Sequence, residues 1–400
     1  MTSTDPLHEP DVSRRAVFFI PGFDPFGPRR YRELYRKQAQ VQAEASGYSI
    51  EVAGRPRGDD YGWTVRTVID GKSTEAEVTV LQWNDLVRGA MGRTVWDSYG
   101  EMLRTVHLYL RSGTFLALWR LRPIPMLIAL YPPILMILYV VIAGLLAAWI
   151  GEEIGGISGW IVGLALFVGL VWFSRRRDRW LKAYYLMSDY AYTAQDRGAT
   201  PAELKERLDR FAERVEAALA GDVDEVLLVG HSTGAQLAVQ TVARVAAVDN
   251  RSAALGLLTL GQVIPMVSFL PGARDLRRDL HNVAARMDVF WLDVSTPADG
   301  ACFALSDPVA VTGVAPEEGA KQGPKVVSPA YGRTLSPRQV AALRWRFFIK
   351  HIQYLRAFER AELYDYFRIT GGPQTLRGRF GSRGSTASRI ERVLSPHRDL

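Results

Sequence analysis

A serine between two glycines is the residue of this chain whose type and setting most directly suggest chemistry. In "VLLVGHSTGAQLAV", residues 226–239, an apolar run leads into Gly230, Ser232 and Gly234, and small, helix-compatible residues follow. That order predicts strand, sharp turn and helix, with the serine hydroxyl lifted beyond the sheet edge. Glycine at both flanks lets neighbouring backbones pass close to a serine in a strained conformation. The helix N-terminus favours negative charge at the same place, where the oxyanion of a tetrahedral intermediate would form. A glycine-rich phosphate loop or a plain tight turn is the competing reading, but the segment lacks both a G-K-[ST] ending and a G-x-G-x-x-G register. A serine hydroxyl is a poor nucleophile until a base takes its proton, so this chemistry requires a histidine. Six are available: His8, His107, His231, His281, His351 and His397.

With "LLVGHSTGAQLA" the sequence resembles the α/β-hydrolase fold superfamily of lipases, esterases and thioesterases, over roughly residues 15–115 and 180–368. The resemblance implies Ser232 as nucleophile and the Thr233 backbone N–H as one oxyanion donor. It implies a second donor from a loop after an early strand. "VFFIPGFDPFG" (17–27) fits, and the Phe23 backbone N–H is the candidate, with Gly22 allowing close approach. The family order of serine, acid, histidine sets aside His8 and His107. His281 precedes the favoured acids, and His231 adjoins the serine with its side chain expected to point elsewhere. His397 falls in the expected tail, so His351, after the apolar-aromatic run "RWRFFIK" and at an element start, is the expected base. The acid is expected in a turn after "VFWLDV". Asp299, in Pro-Ala-Asp-Gly, fits best; Asp307 and Asp293 are the alternatives, and each of the three could instead be a turn-forming or capping aspartate. The chain departs from the family pattern in three ways. About fifteen residues precede the strand before the oxyanion loop, a hairpin is added around Asp70-Gly71, and an apolar insertion falls between the early strands and the serine.

The elements that would position these residues are legible in outline. Short apolar runs predict strands at 16–20, 48–54, 225–230, 255–261 and 288–294, and the turn signal Asp70-Gly71 joins two more at 63–70 and 75–83. Helices are expected at 29–46, ending at Gly47, and from about 233 to 247. A third, at 200–221, is strongly amphipathic, with Thr200 as N-cap, Pro201 in the first turn and Gly221 as the stop. Strands alternating with helices predict a largely parallel sheet flanked by helices, an α/β-hydrolase-like domain built from 16–115 and 180–370.

The mean hydropathy is −0.03 despite many arginines, so apolar residues are concentrated somewhere. They lie in 124–150 and 154–173, two runs separated by "GEE", each about as long as a bilayer-spanning helix of roughly 20 residues. Pro132 and Pro133 are expected to kink the first or mark its start. Gly155, Gly159 and Gly163 recur every four residues and predict one close-packing face on the second. Arg111, Arg120 and Arg122 precede this hairpin and Arg175, Arg176, Arg177 and Arg179 follow it, while the connecting turn has only Glu152 and Glu153. By the positive-inside rule both ends and the hydrolase domain are cytoplasmic.

The formal charge of +7 sits largely in "SRRRDRW" and in the Gly/Ser-rich "LRGRFGSRGSTASR". With no zinc-finger spacing or RNA-binding signature, these read as a membrane-flanking cluster and a disordered basic tail over 371–400, with no nucleic-acid partner. Residues 1–15 are polar, lack the apolar core of a secretory signal and read as a flexible N-terminus. A single cysteine, Cys302, excludes an intramolecular disulfide. The expected function is a membrane-anchored serine hydrolase that cleaves ester or thioester bonds of hydrophobic or lipid substrates, needing no metal or organic cofactor. A catalytically inert membrane scaffold with a hydrolase-like fold is the alternative.

Overall fold

A computed structural model of the chain describes residues 11–55, 60–91, 94–178, 180–248 and 252–400. In chain order the first elements are β1 (Arg14–Ile20), α1 (Arg29–Ser46), β2 (Ser49–Gly54), β3 (Gly62–Ile69) and β4 (Lys72–Val80). A helical stretch follows: α2 (Asn84–Met91), α3 (Val95–Arg111), α4 (Thr114–Leu121), α5 (Pro123–Ile154), α6 (Gly156–Arg176), α7 (Ala183–Ala194) and α8 (Ala202–Leu219). Strands and helices then alternate through β5 (Glu225–His231), α9 (Thr233–Arg244), β6 (Ala254–Leu260), α10 (Ile264–Ser268), α11 (Arg274–Ala284), β7 (Val289–Val294), α12 (Pro308–Thr312) and β8 (Lys325–Val327). The last are short: α13 (Tyr331–Thr334), α14 (Pro337–Leu343), α15 (Phe347–His351), α16 (Tyr366–Gly371) and α17 (Leu376–Phe380).

Eight strands form one sheet in the order β2-β3-β4-β1-β5-β6-β7-β8. Pairing is antiparallel from β2 to β4, across the Asp70-Gly71 turn, and parallel from β4 through β1 to β8. The central strand β5 is buried at every residue, as expected of a parallel strand covered on both faces. One face of the sheet packs on α8, α9 and α11 through residues such as Leu208, Phe211, Leu237 and Leu280. The other packs on α1, α16 and α17 through Tyr35, Phe367, Leu376 and Phe380.

Residues 371–400 correct the expectation of a disordered tail. The Arg15 guanidinium, buried between β1 and β5, pairs with Glu225 at 2.6 Å and donates to the carbonyls of Gly372 and Gln374. Leu376 N donates in turn to Glu225. Farther along, Ile390 N donates to Leu305 O, and the buried Arg277 donates to both the side chain and carbonyl of Asp399. A buried charge pair needs its remaining hydrogen-bonding capacity filled, and the tail fills it. Its Gly/Ser/Arg composition resembles that of a solvated linker because these bonds run through backbone carbonyls. The expected flexible N-terminus is likewise shorter: Val12 is buried, its N–H donates to Pro373 O, and β1 begins at Arg14. Residues 1–10 lie outside the described residues, as does Arg179.

Between β4 and β5 the chain extends into α5 and α6, both long and apolar enough to cross a membrane, with mean hydropathy of 2.5 and 2.0 over their most apolar windows. Only 22% and 17% of those windows are buried, so neither is a core helix of the α/β domain. α5 runs through Pro132 and Pro133 as one helix, with both prolines buried. Gly155 is the turn between the helices, at φ 71°, and not part of a packing face. Gly159 and Gly163 do make that face: a Cβ at Gly159 would collide with the Gly151 carbonyl oxygen, and one at Gly163 would lie 2.7 Å from Ala147 O. Elsewhere Pro201, and not Thr200, occupies the N-cap of α8; Thr200 Oγ1 instead accepts from Gln240 Nε2.

Candidate functional site

Ser232 stands at the carboxyl end of β5, the edge of a parallel sheet where ligands characteristically bind. Its backbone, at φ 57° and ψ −125°, lies in a region that costs a non-glycine residue strain energy and persists only when surrounding contacts impose it. Those contacts are visible. Ser232 N donates to Leu260 O on β6, and Ser232 O accepts from Ala235 N in the first turn of α9. A Cβ at Gly234 would collide with Ile20 O and lie 2.5 Å from Pro21 O, so only glycine admits the end of β1 here. Gly22 comes as close from the other side: its Cβ would sit 3.1 Å from Ser232 Cβ and 3.5 Å from Oγ. The loop after β1 is thereby pressed against the serine.

That loop is fixed from beneath. Trp83 Nε1 donates to Pro21 O at 2.9 Å, the Tyr185 hydroxyl donates to Phe23 O, and the Phe23 ring is buried against Trp83, Tyr185 and Tyr192. With its carbonyl and ring held, the Phe23 N–H has no protein acceptor among the described residues. The same is true of the Thr233 N–H, which as the first residue of α9 has no intrahelical acceptor. Both expected oxyanion donors are thus unpaired beside Ser232.

Of the three carboxylates weighed from the sequence, Asp299 alone touches the expected base. Its Oδ2 accepts from His351 Nδ1 at 2.7 Å and from the Tyr354 hydroxyl at 3.0 Å, while Oδ1 accepts from Ala301 N at 3.0 Å. Burial opposes ionisation of this carboxyl, but the neighbouring His351, its hydrogen bond and that from Ala301 N outweigh it and hold Asp299 below the ordinary carboxylate value. A carboxylate acceptor at Nδ1 puts the proton on that nitrogen and leaves Nε2 as the basic atom. Asp293 is buried within β7, bonded to Thr259 and Ser295, and burial pushes it up to about 7. Asp307 caps α12 through Val309 N and Ala310 N and pairs with Lys321. Neither of these two reaches His351.

His351 closes α15 and does not begin an element, contrary to expectation. Its carbonyl accepts from His231 Nε2 at 2.9 Å, and the two rings lie 4.7 Å apart. His231 therefore packs on the expected base instead of pointing away from it. Burial, with His351 nearby, lowers its pKa to about 3, so it is neutral and donates through Nε2. A Cβ at Gly261, the residue after β6, would lie 3.2 Å from His351 Cε1 and 3.3 Å from Asp299 Oδ2. Ser232, which bonds to the preceding Leu260, thus shares one sheet end with the His351–Asp299 pair. Among the described residues Ser232 Oγ has no hydrogen-bond partner, His351 included; such bonds are commonly long before substrate binds.

Sequence reasoning missed three contributors. Tyr354 anchors Asp299, His231 holds the backbone of His351, and Asp189 of α7 accepts from Thr233 Oγ1 at 3.4 Å. Burial raises the Asp189 carboxyl to about 7. Asp189 follows the apolar insertion with no motif around it, so only the fold brings it against Thr233. Among the described residues no group of three or more His, Cys, Asp or Glu side chains is arranged to hold a metal ion. A cavity of about 370 Å³ between α3 and α7, lined by Glu101, Arg104, Ser188 and Tyr192, includes none of Ser232, His351, Asp299, Phe23 and Thr233.

Compared with known proteins, the chain matches no family model, no curated sequence and no solved structure. Its own architecture defines the class: an α/β protein with a mostly parallel eight-stranded sheet flanked by helices, carrying two apolar helices of membrane-spanning length.

Proposed function

We propose that this chain is a membrane-anchored serine hydrolase of α/β-hydrolase type, acting on carboxylic ester or thioester bonds of hydrophobic or lipid substrates. The observation that carries the reading is the strained Ser232 at the end of β5, sharing that sheet end with a histidine bonded to a buried carboxylate. Ser232 Oγ attacks the substrate carbonyl carbon as its proton passes to His351 Nε2. Asp299 keeps the imidazole in the required tautomer and stabilises the imidazolium. The Phe23 and Thr233 amides receive the developing oxyanion; one such donor is typically worth about 3 kcal/mol. When the tetrahedral intermediate collapses, the alcohol or thiol leaves with the proton from His351. Water attacks the acyl-enzyme in the same way, releasing the acid and restoring the serine.

The apolar helices support an anchor, and the arginines at both flanks support a cytoplasmic catalytic domain. Anchoring would keep the site near lipid-borne esters. A fluorophosphonate probe on the detergent-solubilised full chain tests the chemistry: covalent labelling is expected in the native protein and absent in Ser232→Ala. Native protein that stayed unlabelled would favour an inert scaffold.

A further inference from the structure

The segment that carries the proposed base is thinly covered. α14 and α15 have no buried residue, and Val340, Trp345, Phe347 and Phe348 are all more than two-fifths exposed, Trp345 to 75%. Between Pro337 and His351 the chain has four cations, Arg338, Arg344, Arg346 and Lys350, and no acidic residue. Aromatic rings are costly to leave in water, and rings interleaved with arginines suit the headgroup region of a bilayer, where rings sit among the carbonyls and cations meet phosphates.

The segment's position points to the same occupant. The Lys182 ammonium lies 4.0 Å over the Phe348 ring. The adjacent Leu181 carbonyl accepts from the Tyr131 hydroxyl at 2.9 Å, which ties this rim to α5. Tyr131 lies eight residues into α5, whose residues from Pro123 to Gly151 carry no charge. Below it, Ile124 and Ile128 of α5 stand against the Asp299-Gly300 turn, each 3.0 Å from where a Gly300 Cβ would be. The end of the hairpin, the α15 rim and the site turn therefore form one continuous surface.

We infer that residues 337–350 lie on the cytoplasmic leaflet of the membrane that α5 and α6 cross, with Trp345, Phe347 and Phe348 among the lipid ester carbonyls and the arginines on anionic phospholipid headgroups. This rests on the membrane reading above and adds a second, peripheral contact that sets the proposed site at the lipid surface. Each cation near an anionic leaflet contributes about 1 kcal/mol, roughly a fivefold factor in partitioning, so the contact is sensitive to lipid charge.

Cys302 is buried, so one added thiol can be labelled selectively in the full chain. An environment-sensitive fluorophore on Trp345→Cys, and separately on Leu145→Cys within α5, would be read in vesicles of phosphatidylcholine alone or mixed with phosphatidylserine. In mixed vesicles the label at 345 is expected to be quenched by lipids carrying a nitroxide near the headgroup and shielded from aqueous iodide. Adding Arg344→Glu and Arg346→Glu should cut the lipid quenching about twofold or more. A label at 345 open to iodide and untouched by nitroxide lipids, while the label at 145 is quenched, overturns the leaflet contact and leaves the spans standing. No lipid quenching at 145 removes the membrane reading itself, and this proposal with it. Equal quenching at 345 in neutral vesicles, unaffected by the charge reversals, overturns the anionic-lipid assignment.

Discussion

Asp299, Asp293 and Asp307 lie within fifteen residues of one another, yet their surroundings give them different work. Asp299 accepts three hydrogen bonds, one from an imidazole, and is held ionised. Asp293 meets two hydroxyls in a dry strand interior and is pushed towards its protonated form, while Asp307 holds a helix end and a lysine. Replacing Asp299 with Asn would present a donor where His351 Nδ1–H needs an acceptor, favouring the wrong tautomer. The expected result is a fall in the rate of fluorophosphonate labelling of about a thousandfold to ten-thousandfold, with folding intact. Asp307→Asn should leave the labelling rate within about threefold, because that carboxylate reaches neither Ser232 nor His351. The ring contact between His231 and His351 is the residue-scale fact that the sequence least suggested, since side chains of neighbouring strand residues alternate in direction. It arises because α15 returns over the end of β5, a contact across 120 positions.

At the scale of elements, the junction of β1, β5 and α9 decides whether Ser232 is presented or hidden. The carbonyls of Ile20 and Pro21 pass so close to Gly234 that a methyl group there must displace the end of β1, and with it the loop carrying the Phe23 N–H. Gly234→Ala is accordingly expected to fold with a loss of about 1–3 kcal/mol and to label far more slowly than the parent. Thermal unfolding and labelling of the same preparation would check both parts. A variant as reactive as the parent would mean that the loop does not serve the oxyanion. Much of this junction was legible in advance. The Gly-His-Ser-Thr-Gly corner, the strand before it and the helix after it follow from local pattern, as do α1, ending at Gly47, and the Asp70-Gly71 hairpin. The shorter elements were not. β8 has three residues, and α13 to α17 have between four and seven, too few for a periodicity to register.

Across the whole molecule, the chain closes on itself through buried arginines. Arg15 reaches Glu225 and the carbonyls of residues 372 and 374, and Arg277 reaches Asp399. Truncation after Gly371 would leave the Arg15–Glu225 pair without those acceptors and uncover the sheet face that Leu376 and Phe380 protect. Removing one side of a buried ionic network typically costs about 3–5 kcal/mol. The truncated protein is expected to be insoluble or to melt well below the full chain, as expression yield and thermal unfolding in detergent would show. A truncation with unchanged melting would demote the tail to a surface appendage.

The sequence by itself determined what depends on neighbours along the chain: the α/β alternation, the corner at Ser232, and two apolar runs of bilayer length with arginines at their flanks. These are set by backbone preference and hydrophobic periodicity over a few to twenty residues, and both are written locally. The tertiary structure alone decided which aspartate meets His351, that His231 and Tyr354 support that pair, that Asp189 lies beneath Thr233, and that the Gly/Ser/Arg tail is a structural part of the domain. Each of these is a contact between groups far apart in the chain, where burial and hydrogen-bond geometry, and not residue type, select the partner.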